Sequence, residues 1–207
     1  MTRRWAKASA VVLSLVFGST LACAAPLKVV SSFSILADMV AEVGGDKVES
    51  VAIVGPEGDA HSFEPRPSDS RALQDADLLI VNGAQFEAWL PRLVESAGYT
   101  GSVVEVIEGV PLRAYAEEQE GGEHHDHHDH HDHDHHHHQG HQHGAYDPHA
   151  WQSLDHAQIY VANIRQALAA ADPTNEFYYA KRAEAYEQQL QSLQAQMREA
   201  FGQLPDQ

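Results

Sequence analysis

The chain is nearly without cysteine. Cys23 is its single one, and it sits at the end of the N-terminal apolar segment. An internal disulfide is therefore excluded, and so is a site built on several thiolates. Any bound metal must be held by His, Asp, Glu or water. Basic residues are scarce too: Lys and Arg total 13 against 30 Asp and Glu, giving a net charge of -17. That balance argues against nucleic acid as a partner, because phosphate binding depends on Lys and Arg displacing counterions. It equally argues against adsorption to an anionic membrane surface. The chain also lacks a long apolar run. Ala8–Leu21, preceded by Arg3, Arg4 and Lys7, is too short for a stable membrane span. It reads as a signal peptide over residues 1–24, with Ala22-Cys23-Ala24 as the small-x-small cleavage pattern. A lipid anchor at Cys23 is the second reading, disfavoured because Thr20 stands where an apolar residue is wanted. Common catalytic signatures are missing as well. There is no Gly-x-Ser-x-Gly elbow, no phosphate loop and no His-Glu-x-x-His helix. An enzyme is not the expectation.

What is abundant is histidine. Most of the 16 lie between Glu123 and His143, interleaved with Asp126, Asp129, Asp132 and Asp134. Imidazole is neutral and ready to bind metal near neutral pH, which points to a metal-handling protein. Residues 116–145 contain almost nothing apolar, so they cannot offset the entropy of ordering and are expected to form a disordered His/Asp-rich loop. The run closes on a motif of different character, Asp147-Pro148-His149-Ala150-Trp151.

The remainder alternates between two periodicities. Leu27–Ser31, Lys47–Val54, Leu78–Val81 and Val103–Val106 read as strands. Between them, Phe33–Val43, Ser68–Asp75 and Phe86–Ala97 carry apolar residues at helical spacing, the first ending at Gly44-Gly45. Strand–helix alternation predicts an α/β fold: a parallel four-stranded sheet lobe with flanking helices over residues 25–171. Ser153–Ala170 reads as a further helix. Asp172 and Pro173 then open a long helix over residues 172–204, with Ala183, Tyr186, Leu190, Leu193, Met197, Phe201 and Leu204 along one stripe. Its length fits a helix that spans between two lobes.

Ligands of open parallel sheets bind beyond the carboxyl ends of the strands. His61 follows the second strand, and His149 follows the fourth strand and its insertion. Both are thus expected on one rim, which makes them the candidate metal ligands. Asp147 is placed to orient the His149 ring. Trp151 is expected in the core, His156 at the surface, and Glu64 as a local backbone anchor or helix cap.

Together, VVSSFSILADMVAEVGGDKV, GPEGDAHSFEPRPSDSRALQDADLLIVNGAQFEAWL and DPHAWQSLDHAQIYVANIRQAL resemble the solute-binding proteins of bacterial zinc and manganese ABC transporters, of the periplasmic high-affinity zinc-uptake type. The resemblance implies two α/β lobes joined by one long rigid helix, with metal in the cleft between. It implies His61 and His149 as first-lobe metal ligands, Zn²⁺ as the transported cargo with Mn²⁺ as the alternative, and a periplasmic monomer that serves a membrane permease. The His-rich run would then be a weak zinc collector beside the main site. A stand-alone periplasmic zinc buffer acting through that run, or a surface adhesin, are the other readings. The second lobe would supply a third histidine and a carboxylate or water-side position. This sequence stops at Gln207, so the second α/β lobe is expected to be missing.

Overall fold

The computed structural model describes residues 25–115 and 145–202. The expected leader, nearly all of the His/Asp-rich insertion, and Leu204 lie outside the described residues.

Among the described residues, four strands form one sheet: β1 (Leu27–Phe33), β2 (Val48–Val54), β3 (Leu78–Val81) and β4 (Ser102–Glu105). Their order is β2-β1-β3-β4 and every pairing is parallel, as the alternation predicts. Burial follows position in the sheet. All of β3 is buried, and so is β1 from Val29 onward, because a central strand is covered on both faces. Edge strand β2 is only partly buried, and edge strand β4 is mostly exposed.

Among the described residues, five α-helices flank the sheet: α1 (Ser34–Gly44), α2 (Pro67–Gln74), α3 (Leu90–Ala97), α4 (Leu154–Ala171) and α5 (Glu176–Gly202). From β1 the chain steps one way across the sheet to β2, then back past β1 to β3 and β4. Right-handed crossovers in opposite directions put their helices on opposite faces. Accordingly α1, α4 and α5 pack on one another, and α2 packs on α3. The reversal leaves a crevice beyond the ends of β1 and β3, the switch point where such sheets take ligands.

Local chemistry sets the helix boundaries. In α1, Leu36, Met39, Val40 and Val43 share one buried face. The chain leaves it through Gly45 at φ 53° and ψ -137°, a conformation that side-chain-bearing residues avoid. For α2 the anchoring carboxylate is Asp69, not Glu64: its Oδ2 accepts the Arg66 N–H at 2.7 Å. α3 begins at Leu90 and not at Phe86: the Phe86 N–H donates to the Gly83 carbonyl and the Leu90 N–H to the Glu87 carbonyl, both turn bonds, and the first helical bond is from the Leu93 N–H to the Trp89 carbonyl.

The long helix begins as a turn of 3₁₀-helix over Pro173–Asn175, then runs as α5 for 27 residues, about 40 Å at 1.5 Å per residue. Asp172 tethers its start by accepting hydrogen bonds from Asn175 Nδ2 at 2.6 Å and the Tyr179 hydroxyl at 2.8 Å. The first half of α5 buries Tyr179, Ala183 and Leu190 against α1 and α4. Beyond that, Leu193, Met197 and Phe201 are exposed, Phe201 by 63%. No helix among the described residues is long and apolar enough to cross a membrane.

Candidate metal site

The chain leaves β2 at Val54 and crosses the rim in a loop that carries His61. Asp59 shapes this loop. Its carboxylate accepts the His61 N–H at 2.9 Å and the Ser62 hydroxyl at 2.5 Å, the local pattern by which Asp side chains build turns. The Ser62 bond, then the His61 bond, hold the Asp59 carboxyl below its ordinary range. From beneath, the indole Nε1–H of Trp89 donates to the Ala60 carbonyl at 2.7 Å, and Phe63 packs edge-on against the same Trp89.

His149 arrives from the far side of the insertion. The strand-like ends of that excursion meet at an antiparallel bridge, Ala114 with Tyr146, continued by the Asp147 N–H on the Arg113 carbonyl at 2.8 Å. The insertion therefore leaves and returns beside the rim. Asp147 Oδ1 accepts both the His149 N–H at 3.0 Å and His149 Nδ1 at 2.7 Å. Those two bonds, the backbone one first, hold the Asp147 carboxyl below its ordinary range. A carboxylate can only accept, so Nδ1 carries the hydrogen and Nε2 is the ring's outward nitrogen.

The expected meeting of the two histidines is observed. His61 Nε2 lies 2.9 Å from His149 Nε2, across the rim. Two bare lone pairs would repel at that distance, so a proton sits between them. A cation can take the place of that proton. Two ligands at about 2.0–2.1 Å from zinc with a tetrahedral angle stand about 3.3–3.4 Å apart, so the nitrogens need to separate by only about 0.4 Å. Phe86 lies edge-on to both rings, 4.4 Å from His61 and 5.7 Å from His149 between centroids. Trp151 is half-buried against Phe33, Phe86 and His149, so it serves the core and the site at once.

Below the pair lies a polar network that the motifs do not announce. Asn82, fully buried at the end of β3, donates from Nδ2 to the Pro148 carbonyl at 3.0 Å and accepts the Tyr160 hydroxyl on Oδ1 at 2.7 Å. It thereby ties the residue before His149 to both β3 and α4. Glu87 is 6% exposed and has no cationic partner among the described contacts; its carboxylate accepts from the Ser32 hydroxyl at 2.6 Å, the Asn82 N–H at 2.7 Å and the Gly83 N–H at 3.2 Å. Burial raises its pKa above the ordinary value, and these three donors only partly offset that. Burial, then the nearby Glu87, also pushes the Tyr160 hydroxyl up, so it remains a donor. Gly83 is confined by Glu105: a side chain added there would collide with the Glu105 carboxyl and Cβ, and its φ of 92° suits glycine alone. The available signal was Asn-Gly directly after four apolar strand residues, with Glu87 four positions past Gly83.

His156 is not the surface residue expected. It is half-buried on α4 and lines a cleft of about 290 Å³ with Arg113, Asp147 and His149. Its Nδ1 is buried without a hydrogen-bond partner among the described residues. Glu64 lines a different cleft, beside Arg92 of α3.

Among the described residues no cluster of three or more His, Cys, Asp or Glu side chains is arranged to hold a metal ion. The arrangement is a pair of imidazoles, one backed by a carboxylate, over an aromatic floor. A parallel sheet that opens its strand ends onto such a pair defines a small-ligand-binding α/β lobe. Its relatives narrow the class. The profile of the family described as zinc-uptake complex component A, periplasmic, matches residues 29–207, and the chain belongs to that family. It is 33% identical over 195 residues to the metal ABC transporter substrate-binding lipoprotein FimA of Streptococcus parasanguinis, covering 91% of this chain and 56% of that protein. It is 36% identical over 184 residues to the manganese-binding lipoprotein MntA of Halalkalibacterium halodurans, covering 87% of this chain and 51% of that one. In structure it is similar to the Mn-bound periplasmic metal-binding protein of Candidatus Liberibacter asiaticus, with TM-score 0.63, 28% identity, and coverage of 79% of this chain and 52% of that one. The Zn(II)-bound AdcA of Streptococcus pneumoniae shares the fold, with TM-score 0.66 at 23% identity over 86% of this chain and 33% of that one. The chain spans about half the length of the curated relatives it matches.

Proposed function

We propose that this chain is the capture lobe of a periplasmic solute-binding protein that takes Zn²⁺ through His61 and His149 and hands it to the membrane permease of an ABC transporter. It binds and releases its cargo and catalyses no reaction. The observation that carries this reading is the Nε2–Nε2 contact of 2.9 Å between two histidines from separate loops, one of them backed by Asp147. A pair of nitrogen ligands favours zinc, whereas carboxylate-rich sites favour manganese. Zinc wants at least three protein ligands even in open sites, so the remaining ligands come from a second lobe beyond α5. The exposed Leu193, Met197 and Phe201 would face that lobe. The His-rich run, whose ends are pinned by the Ala114–Tyr146 bridge, would raise the local zinc concentration at the rim.

Manganese is the second reading, favoured by the names of relatives such as MntA. Attachment through Cys23 is the second reading for location, favoured by relatives named as lipoproteins. Zinc titration of the chain, with and without residues 123–143, tests the proposal. Deletion should remove weak binding and leave a site that His149→Ala abolishes. Loss of all binding on deletion, with no effect of His149→Ala, would make the chain a buffer that works through its run.

A further inference from the structure

An apolar side chain touches both imidazoles. Phe86 is buried and packs edge-on against His61 and His149. The backbone leading to it is strained. Gly83, Ala84 and Gln85 have φ of 92°, 51° and 62°, and two of these residues are not glycine. Left-handed conformations of residues with a Cβ persist only where surrounding contacts enforce them. Here the enforcing group is Glu87, whose buried carboxylate captures the N–H groups of Asn82 and Gly83 and pulls the turn closed. The strain is thus concentrated immediately before the ring that meets both histidines.

We infer that Phe86 is a positioning and specificity-determining residue: held by the Asn82–Glu87 turn, its ring sets the separation and mutual angle of the His61 and His149 imidazoles and selects cations content with four ligands. This rests on the zinc reading above. Phe86 and Trp151 line one side of the imidazole pair with aromatic rings, which offer a cation no ligand atom. Zinc accepts four ligands readily, whereas manganese favours six oxygen-rich ones. An apolar wall therefore penalises manganese more than zinc.

Cobalt(II) absorption reports coordination number directly, and the part lost in His61→Ala isolates this site from the His-rich run. In the chain joined to the second lobe that supplies the remaining ligands, His61-dependent bands of four-coordinate intensity are expected. Phe86→Ala should weaken them toward six-coordinate intensity and reduce the His61-dependent zinc-over-manganese preference by about tenfold, the low end for residues that orient ligands. Phe86→Leu keeps apolar bulk without the ring and should fall between; it decides the matter if Phe86→Ala does not fold. Folded variants with unchanged bands and unchanged preference would make Phe86 core packing only and overturn the inference. No His61-dependent cobalt signal in that two-lobe protein would overturn the zinc reading itself, and this inference with it.

Discussion

His61 and His149 meet at one contact but are held by different means. The His149 loop is fastened from inside: Asn82 grips the Pro148 carbonyl in the buried interior, and Asp147 grips both the backbone and the ring of His149. The His61 loop is fastened mostly at the surface, through Asp59 on its own turn, with the Trp89–Ala60 bond as its inner tether. Hydrogen bonds in a low-dielectric interior are stronger and costlier to break than those open to water. In the proposed site His149 would therefore be the fixed ligand. His61 would be the one that adjusts, and the separation of about 0.4 Å needed to admit zinc would fall to its loop.

This contrast can be broken at several points. The largest effect is expected from Asn82→Ala, which strands the buried Tyr160 hydroxyl and the Pro148 carbonyl. It should lower unfolding stability by about 3 kcal/mol in urea denaturation, in line with the cost of unsatisfied buried groups. Zinc binding should fall with it, since His149 loses its foundation. Next is Asp147→Asn. The fold should stand, but the ring loses its carboxylate, and zinc affinity measured by competition should drop about tenfold. Trp89→Phe removes the inner tether of His61 and leaves a cavity where the buried indole stood. A loss of about 2 kcal/mol in stability is expected from the hydrogen bond and the cavity together, with a smaller drop in zinc affinity than Asp147→Asn. A larger drop than Asp147→Asn would invert the assignment of fixed and adjustable ligand.

The smallest effects are in acid, and they have opposite signs. Asp147 has a depressed pKa, so its contribution to stability is present above its ordinary 3.8 and is lost as pH falls through the depressed value. Glu87 has a raised pKa. Between its ordinary 4.5 and that raised value the folded chain holds more protons than the unfolded one, so its contribution weakens as pH rises. Urea midpoints measured from pH 2 to 7 should show the acid loss flattened in Asp147→Asn.

The sheet, its parallel sense and the shared rim were legible because each rests on a repeating signal. Strands and helices alternate, and the switch-point rule needs only strand order. The two histidines could be placed together for that reason, although 88 positions separate them. Asn82, Glu87 and Tyr160 were not legible. A buried polar residue is defined by partners distant in the chain, and in sequence Asn82-Gly83 resembles any turn. The start of α3 was misplaced for a related reason. Phe86 and Trp89 are buried, but on two successive turns that apolar periodicity cannot tell from helix. His156 was misjudged because helical spacing does not reveal that α4 passes beside the cleft at Asp147.

The central claim is that His61 and His149 bind one cation together. The most direct test follows their imidazole nitrogens by ¹⁵N NMR in the full chain as zinc is added, with assignments from His61→Ala and His149→Ala. Both Nε2 resonances should shift together and saturate at the same zinc equivalence, with His149 Nδ1 still protonated toward Asp147. Saturation of the run's histidines while both Nε2 signals stay unmoved would contradict the claim.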